Sequence, residues 1–196
     1  ILRCLVGSEM CIRDRCSIGC SYCYARMNNN RFHTIDDFNK PVFFENKLKM
    51  LDNKRHTAYL LTGQSDLSGW NEEWKDKVFS KMKENENTQY IFLTKRPENI
   101  KLKETPDNGW FGVTVTSSKE KTRIDYLRNN IKAKHYHITF EPMFDDVGKL
   151  DLSNISWIVI GTETGNRKGK ISSKREWVFN LSLIHISEPT RHLRIS

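Results

Sequence analysis

Five short apolar runs rich in β-branched and aromatic residues recur along the chain: Thr57–Thr62, Gln89–Thr94, Trp110–Val115, His135–Phe140 and Trp157–Gly161. Their near-continuous hydrophobicity predicts strands covered on both faces, as in parallel sheets. Between them the pattern predicts helices at Ile35–Leu51, Asn71–Glu86 and Ser118–Lys132, and a short one after Pro97. In the second of these, Trp74, Val78, Phe79 and Met82 share one helical face. The third opens on Ser117-Ser118-Lys119-Glu120, a start resembling a capping box. Alternating strands and helices of this length suit repeated βα units and an α/β fold.

Each predicted strand ends in a polar or glycine-containing cluster. These are Thr62-Gly63-Gln64-Ser65-Asp66, Thr94-Lys95-Arg96-Pro97, Thr114-Val115-Thr116, Phe140-Glu141-Pro142 and Gly161-Thr162-Glu163-Thr164-Gly165. Such residues punctuate strand ends in any protein. Five clusters in succession, four of them carrying an acid or a base, favour a shared functional rim, since parallel strands of a barrel gather their carboxyl ends on one side.

Composition changes the picture at the two ends. A DNA sequence encoding Leu5–Arg15 (LVGSEMCIRDR) reads on its opposite strand as LSLIHISEPTR, which is Leu181–Arg191. The shared word resembles the transposon-end adapter of sequencing libraries. Residues 1–15 and 181–196 are therefore read as non-native, adapter-derived sequence around a core fragment at 16–180. The whole chain carries a net charge of +8. Without Arg3, Arg13, Arg15, Arg191, Arg194, Glu9, Asp14 and Glu188, +6 remains. That mild excess permits contact with nucleic acid without requiring it. No apolar run reaches the ~18 residues of a membrane span, so no membrane partner is expected.

Setting the ends aside removes Cys4 and Cys11 and leaves C-S-I-G-C-S-Y-C, with Cys16, Cys20 and Cys23. Clustered thiols without a distant partner argue against a disulfide scaffold and for a reducing, cytoplasmic setting. Three thiolates on one compact loop, with Gly19 letting it bend, can hold three irons of a cubane and leave the fourth open to a ligand. A zinc ion held by the same thiolates and a histidine such as His33 is the competing reading, although the usual second ligand pair is absent. Buried structural cysteines fit this polar, thiol-crowded loop less well.

The Cys-x₃-Cys-x₂-Cys spacing, with Tyr22 before the last cysteine, resembles the signature of radical S-adenosylmethionine (SAM) enzymes. CSYCYARMNNNRF, SDLSGW, FLTKRP, WFGVTVTSS, FEP and WIVIGTETGNRKGK are similar to blocks of a phage- and mobile-element-associated branch that includes the radical SAM mobile pair proteins. The cysteine loop is also similar to that of spore photoproduct lyase. The resemblance spans essentially all of residues 16–180.

That resemblance implies a partial (β/α)₆ barrel of radical SAM type carrying a [4Fe–4S] cluster on Cys16, Cys20 and Cys23. SAM would chelate the open iron, and one electron would cleave its sulfonium to methionine and a hydrogen-abstracting 5′-deoxyadenosyl radical. The usual Gly-Gly-Glu element after the second strand is replaced by Thr62-Gly63-Gln64-Ser65-Asp66. Gly63, Ser65 and Asp66 then stand as candidate cofactor contacts, with Thr94, Lys95, Thr114, Thr116, Glu141, Gly161 and Glu163 on the following strand ends. The strand expected before the cysteine loop is missing, replaced by adapter residues 5–15, which would expose a sheet edge.

The leading expectation is thus a radical SAM enzyme that takes electrons from a flavodoxin- or ferredoxin-like donor. A nucleic acid or a protein partner is the expected substrate, and a second radical SAM protein encoded nearby is a candidate associate. The competing class is a non-enzymatic zinc-bearing nucleic-acid-binding module using the same three cysteines. No hydrogen-atom relay is identifiable; Tyr24 and Tyr59 are weak candidates.

Overall fold

The computed structural model describes residues 8–9, 13–14, 16–33, 37–52, 57–164, 167–186 and 192–195. The five expected strands form the centre of one parallel sheet. In chain order the strands are β1 (Ser8–Glu9), β2 (Arg13–Asp14), β3 (Val42–Phe43), β4 (Ala58–Leu60), β5 (Gln89–Thr94), β6 (Gly109–Thr114), β7 (His135–Phe140), β8 (Ile155–Ile160) and β9 (His192–Ile195). All but β2 and β3 lie in the seven-stranded sheet, ordered β1-β4-β5-β6-β7-β8-β9 and parallel throughout. Spatial neighbours therefore follow chain order, with no switch point of the doubly wound kind. β2 and β3 form a separate antiparallel pair.

The edge expected to be bare is occupied by β1, whose Ser8 and Glu9 pair with Tyr59 and Leu60. Main-chain pairing makes little demand on side-chain identity, so an extended dipeptide serves.

Helices α1 (Tyr24–Phe32), α2 (Glu72–Glu84), α3 (Thr122–Asn130) and α4 (Arg175–Ile186) complete the α/β architecture. Helix α2 forms as its pattern predicts. Asn71 caps it by accepting from the Trp74 backbone N–H at 2.9 Å, and Glu72 and Glu73 favour its positive end. Val78 and Met82 are fully buried, while Trp74 and Phe79 pack on the same core from its margin.

The helix expected over Ile35–Leu51 does not form across its described part. Residues 37–52 hold turns, β3 and a 3₁₀ segment, Glu45–Asp52. Pro41 explains the failure, because it supplies no N–H and disfavours helical geometry in the residue before it. The remainder of that expectation, residues 35–36, lies outside the described residues. The expected 118–132 helix is likewise divided into a 3₁₀ turn, Ser118–Glu120, and α3. Ser117 makes no side-chain cap; the Glu120 carboxylate instead accepts from the backbone N–H and hydroxyl of Thr116, both through Oε2.

Alternation along the strands separates two faces. The outer one carries Tyr59, Leu61, Tyr90, Phe92, Phe111, Val113, Ile138, Phe140, Ile158 and Ile160, packed with Val78 and Met82 of α2 and Ile124 and Leu127 of α3. Phe92 and Phe111 stack at its centre, 4.9 Å between rings. The inner face carries a smaller apolar cluster of Leu60 and Ile91 with Ala58, Leu93, Trp110 and Trp157. Further along the same face come Gly112, Thr114, His137, Thr139 and Val159, set by the pairs Gly112↔His137, Thr114↔Thr139 and Thr139↔Val159. His137, Thr139, Thr114 and Val159 are buried, although the helices pack on the other side.

Candidate functional site at the carboxyl ends of the strands

The cysteine loop turns at Gly19, whose φ of +77° is a left-handed conformation suited to glycine. Its end is the start of α1. Cys23 is the N-cap, its Sγ accepting from the Arg26 backbone N–H at 3.5 Å, and the Cys23 N–H donates to the Cys20 carbonyl. Arg26 fastens the loop's beginning as well. Its guanidinium donates to the Cys16 carbonyl at 2.9 Å and to Asn39 Oδ1 at 3.0 Å while lying over the Phe38 ring. Nothing in the cysteine spacing pointed to Arg26.

Two aromatic residues, Tyr22 of the loop and Tyr24 at the start of α1, reach the strand ends. The Tyr22 ring meets Phe144 edge-on at 5.3 Å, and the Lys95 ammonium sits 5.8 Å from its centroid. The Tyr24 hydroxyl donates to the Gly63 carbonyl at 3.2 Å. Residues following β4, β5 and β7 thus converge on the thiol loop.

Cys16, Cys20 and Cys23 are free thiols, each partly exposed. Burial raises the Cys16 pKa; Asp66 and Cys20 add to this, while the Ile18 backbone and Lys95 oppose it. Burial, reinforced by Cys20, likewise holds the Tyr22 phenol far above its usual range. Three soft sulfur donors on one loop fit an iron–sulfur cluster in chemistry. Among the described residues no group of three or more His, Cys, Asp or Glu side chains is gathered as for a metal ion.

The sequence-predicted contacts divide by what their polar atoms already do. Asp66, buried, accepts from Ser68 N at 2.9 Å, Ser68 Oγ at 2.7 Å, Thr94 Oγ1 at 2.6 Å and Lys95 N at 2.8 Å. Its carboxylate, like the Thr94 hydroxyl that donates to it, is committed to joining the turn after β4 to the end of β5. The Ser65 hydroxyl accepts from Trp70 Nε1 at 3.4 Å. Thr116 is held by Glu120, and Glu163 by Arg167 through Oε1 and Oε2 at 2.5 and 2.8 Å. This pairing lowers the Glu163 pKa.

Lys95, Thr114 and Glu141 remain with side chains open to a ligand, whereas the Gly63 carbonyl already accepts from Tyr24 and both backbone groups of Gly161 are paired, with Phe140 and Met143. Glu141 lies against Gly161, where an added Cβ would approach its Cδ to 2.9 Å. Glu141 Oε2 is buried with no hydrogen-bond partner, and burial raises the carboxyl pKa. Two inward residues that the sequence did not single out share this condition, Thr139 through Oγ1 and His137 through Nδ1. Their signal was present in the alternation of polar positions along His135–Glu141, on one face of the strand.

A separate depression of about 430 Å³, lined by Glu104, Thr105, Asp107, Lys132–Lys134 and Tyr136, lies at the amino ends of β6 and β7, away from the thiols.

A family model described as a protein of unknown function (DUF5131) matches residues 9–184. The chain belongs to the DUF5131 family. The DUF5131 match includes the cysteine loop and all five central strands. No curated protein and no solved structure matches the chain. Among the described residues no helix is long and apolar enough to cross a membrane.

Proposed function

We propose that this DUF5131 protein is a radical SAM enzyme whose sheet is the wall of a partial (β/α)₆ barrel. The observation that carries this reading is the meeting of the three-cysteine loop with the carboxyl ends of parallel strands, through Tyr22 with Lys95 and Tyr24 with Gly63. The chain-ordered sheet and the buried inner-face residues are what a sheet curled about its own inner face would give.

Cys16, Cys20 and Cys23 would hold a [4Fe–4S] cluster, which, when bound with SAM, supplies one-electron cleavage and a carbon radical. The chain's own residues perform the placement. Arg26 holds the Cys16 carbonyl, and Gly19 shapes the loop between the thiols. Lys95 brings a cation to the rim, suited to a carboxylate of the bound cosubstrate, and Gly63 offers a backbone surface beside it. Asp66 acts on Lys95 indirectly, by fixing its backbone N–H. Tyr22 and Phe144 close one side and keep water from the space between loop and sheet.

An anaerobic loading experiment tests the donor assignment. The protein, reconstituted with iron and sulfide, is expected to become brown and oxygen-sensitive and to hold iron and sulfide in equal amounts. Cys20→Ala should fail to do so. Stoichiometric zinc with no bound sulfide would replace the enzyme by the zinc-bearing nucleic-acid-binding module, whose DNA affinity would fall steeply with salt.

A further inference from the structure

We propose that Glu141 and Thr139, with His137 beneath them, form a seat for a hydrogen-bond-donating, uncharged or cationic group of the substrate, an amine, amidine or amide. This deepens the preceding reading, resting on the carboxyl rim as the active site, and gives Glu141 to the substrate instead of the cosubstrate.

Buried polar side-chain atoms are almost always paired, because a group that loses its hydration without gaining a partner is destabilising. The described residues hold five exceptions: Tyr90 Oη, Arg128 Nε, His137 Nδ1, Thr139 Oγ1 and Glu141 Oε2. The last three belong to alternate residues running along β7 and just past its end, hence to one face. They make a polar ladder descending from the rim. His137 is fully buried and Thr139 is 2 % exposed.

Both ends of the ladder lie flat against glycine. A Cβ on Gly112 of β6 would come within 2.4 Å of the His137 ring, and one on Gly161 within 2.9 Å of Glu141 Cδ. The His137 ring thus packs on β6, and the Glu141 side chain on the residue that follows β8.

The donor–acceptor pattern selects the ligand. His137 Nε2 donates to the Phe92 carbonyl at 3.0 Å, which assigns the proton to that nitrogen and leaves Nδ1 as an acceptor. Burial keeps the ring neutral, its pKa pushed down to about 4. The Thr139 hydroxyl accepts or donates, and a Glu141 carboxylate accepts. The ladder presents no cation. An anion would meet acceptors and a carboxylate, whereas an N–H donor would satisfy each rung.

The test uses the full chain, both metal-free and reconstituted, with three ring-matched probes: benzamidinium, benzamide and benzoate. Calorimetry is expected to show binding of benzamidinium and benzamide and none of benzoate. Thr139→Val, which keeps the shape but removes the hydroxyl, should weaken both complexes about tenfold without lowering the unfolding midpoint. Glu141→Gln should weaken benzamidinium more than benzamide. Absence of binding, equal binding by Thr139→Val, or preference for benzoate would overturn the seat. So would a ligand-soaked crystal showing only ordered water on the three atoms. Donor binding without SAM cleavage would remove the enzyme reading alone; SAM cleavage without donor binding would remove the seat alone.

Discussion

The Thr94 hydroxyl donates to Asp66 Oδ1 at 2.6 Å and joins the turn after β4 to the end of β5. Lys95 follows directly, its backbone N–H held by the other oxygen of the same carboxylate. One buried acid therefore sets the position of the rim lysine. Asp66→Ala leaves those donors without their acceptor and is expected to destabilise the chain by about 3 kcal/mol. Urea unfolding measures it; a loss below about 0.5 kcal/mol would show that the carboxylate is not the clamp.

Gly112 is required by its neighbour. Alanine there would press on the His137 ring from 2.4 Å. Gly112→Ala should cost about 1–3 kcal/mol, most of it absent when His137→Ala removes the ring. Additive effects in that double-mutant cycle would contradict the close approach.

His137 makes stability depend on pH. Its folded pKa of about 4 lies below the ordinary value of 6.5. Between these limits the unfolded chain binds a proton that the folded chain excludes. The stabilising contribution is complete above about pH 6.5 and is lost as pH falls toward about 4, at up to ~1.4 kcal/mol per pH unit. Glu141, whose pKa is raised, acts in the opposite sense, but it is common to both proteins compared. The stability difference between wild type and His137→Gln should shrink on acidification through this window. A constant difference would contradict the assignment.

Arg26 holds the cysteine loop without supplying a sulfur. Arg26→Ala is expected to retain iron about tenfold less tightly, as removal of an outer partner does in other metal sites. Its unfolding midpoint in the metal-free state should change little. Iron retention equal to wild type under a chelator would limit Arg26 to a surface role.

The five central strands were legible because their apolar runs are bounded by polar clusters, and β5 and β7 coincide with their predicted limits. The helix expected over Ile35–Leu51 is absent from its described part because Pro41 interrupts it. Strand-end residues were visible as a class, yet their tasks were not. Asp66, Thr94, Thr116 and Glu163 have polar groups engaged by partners, several of them in neighbouring turns, a condition that residue type does not reveal. His137 and Thr139 are hidden within an apolar run, because only the faces of β7 separate them from outward Ile138 and Phe140.

The central claim meets its most direct test in one anaerobic assay. Protein reconstituted with iron and sulfide is given dithionite and SAM, and 5′-deoxyadenosine is measured against a Cys20→Ala control. The account predicts cysteine-dependent 5′-deoxyadenosine. Fully loaded protein that releases none, or releases as much as the Cys20→Ala control, would contradict it.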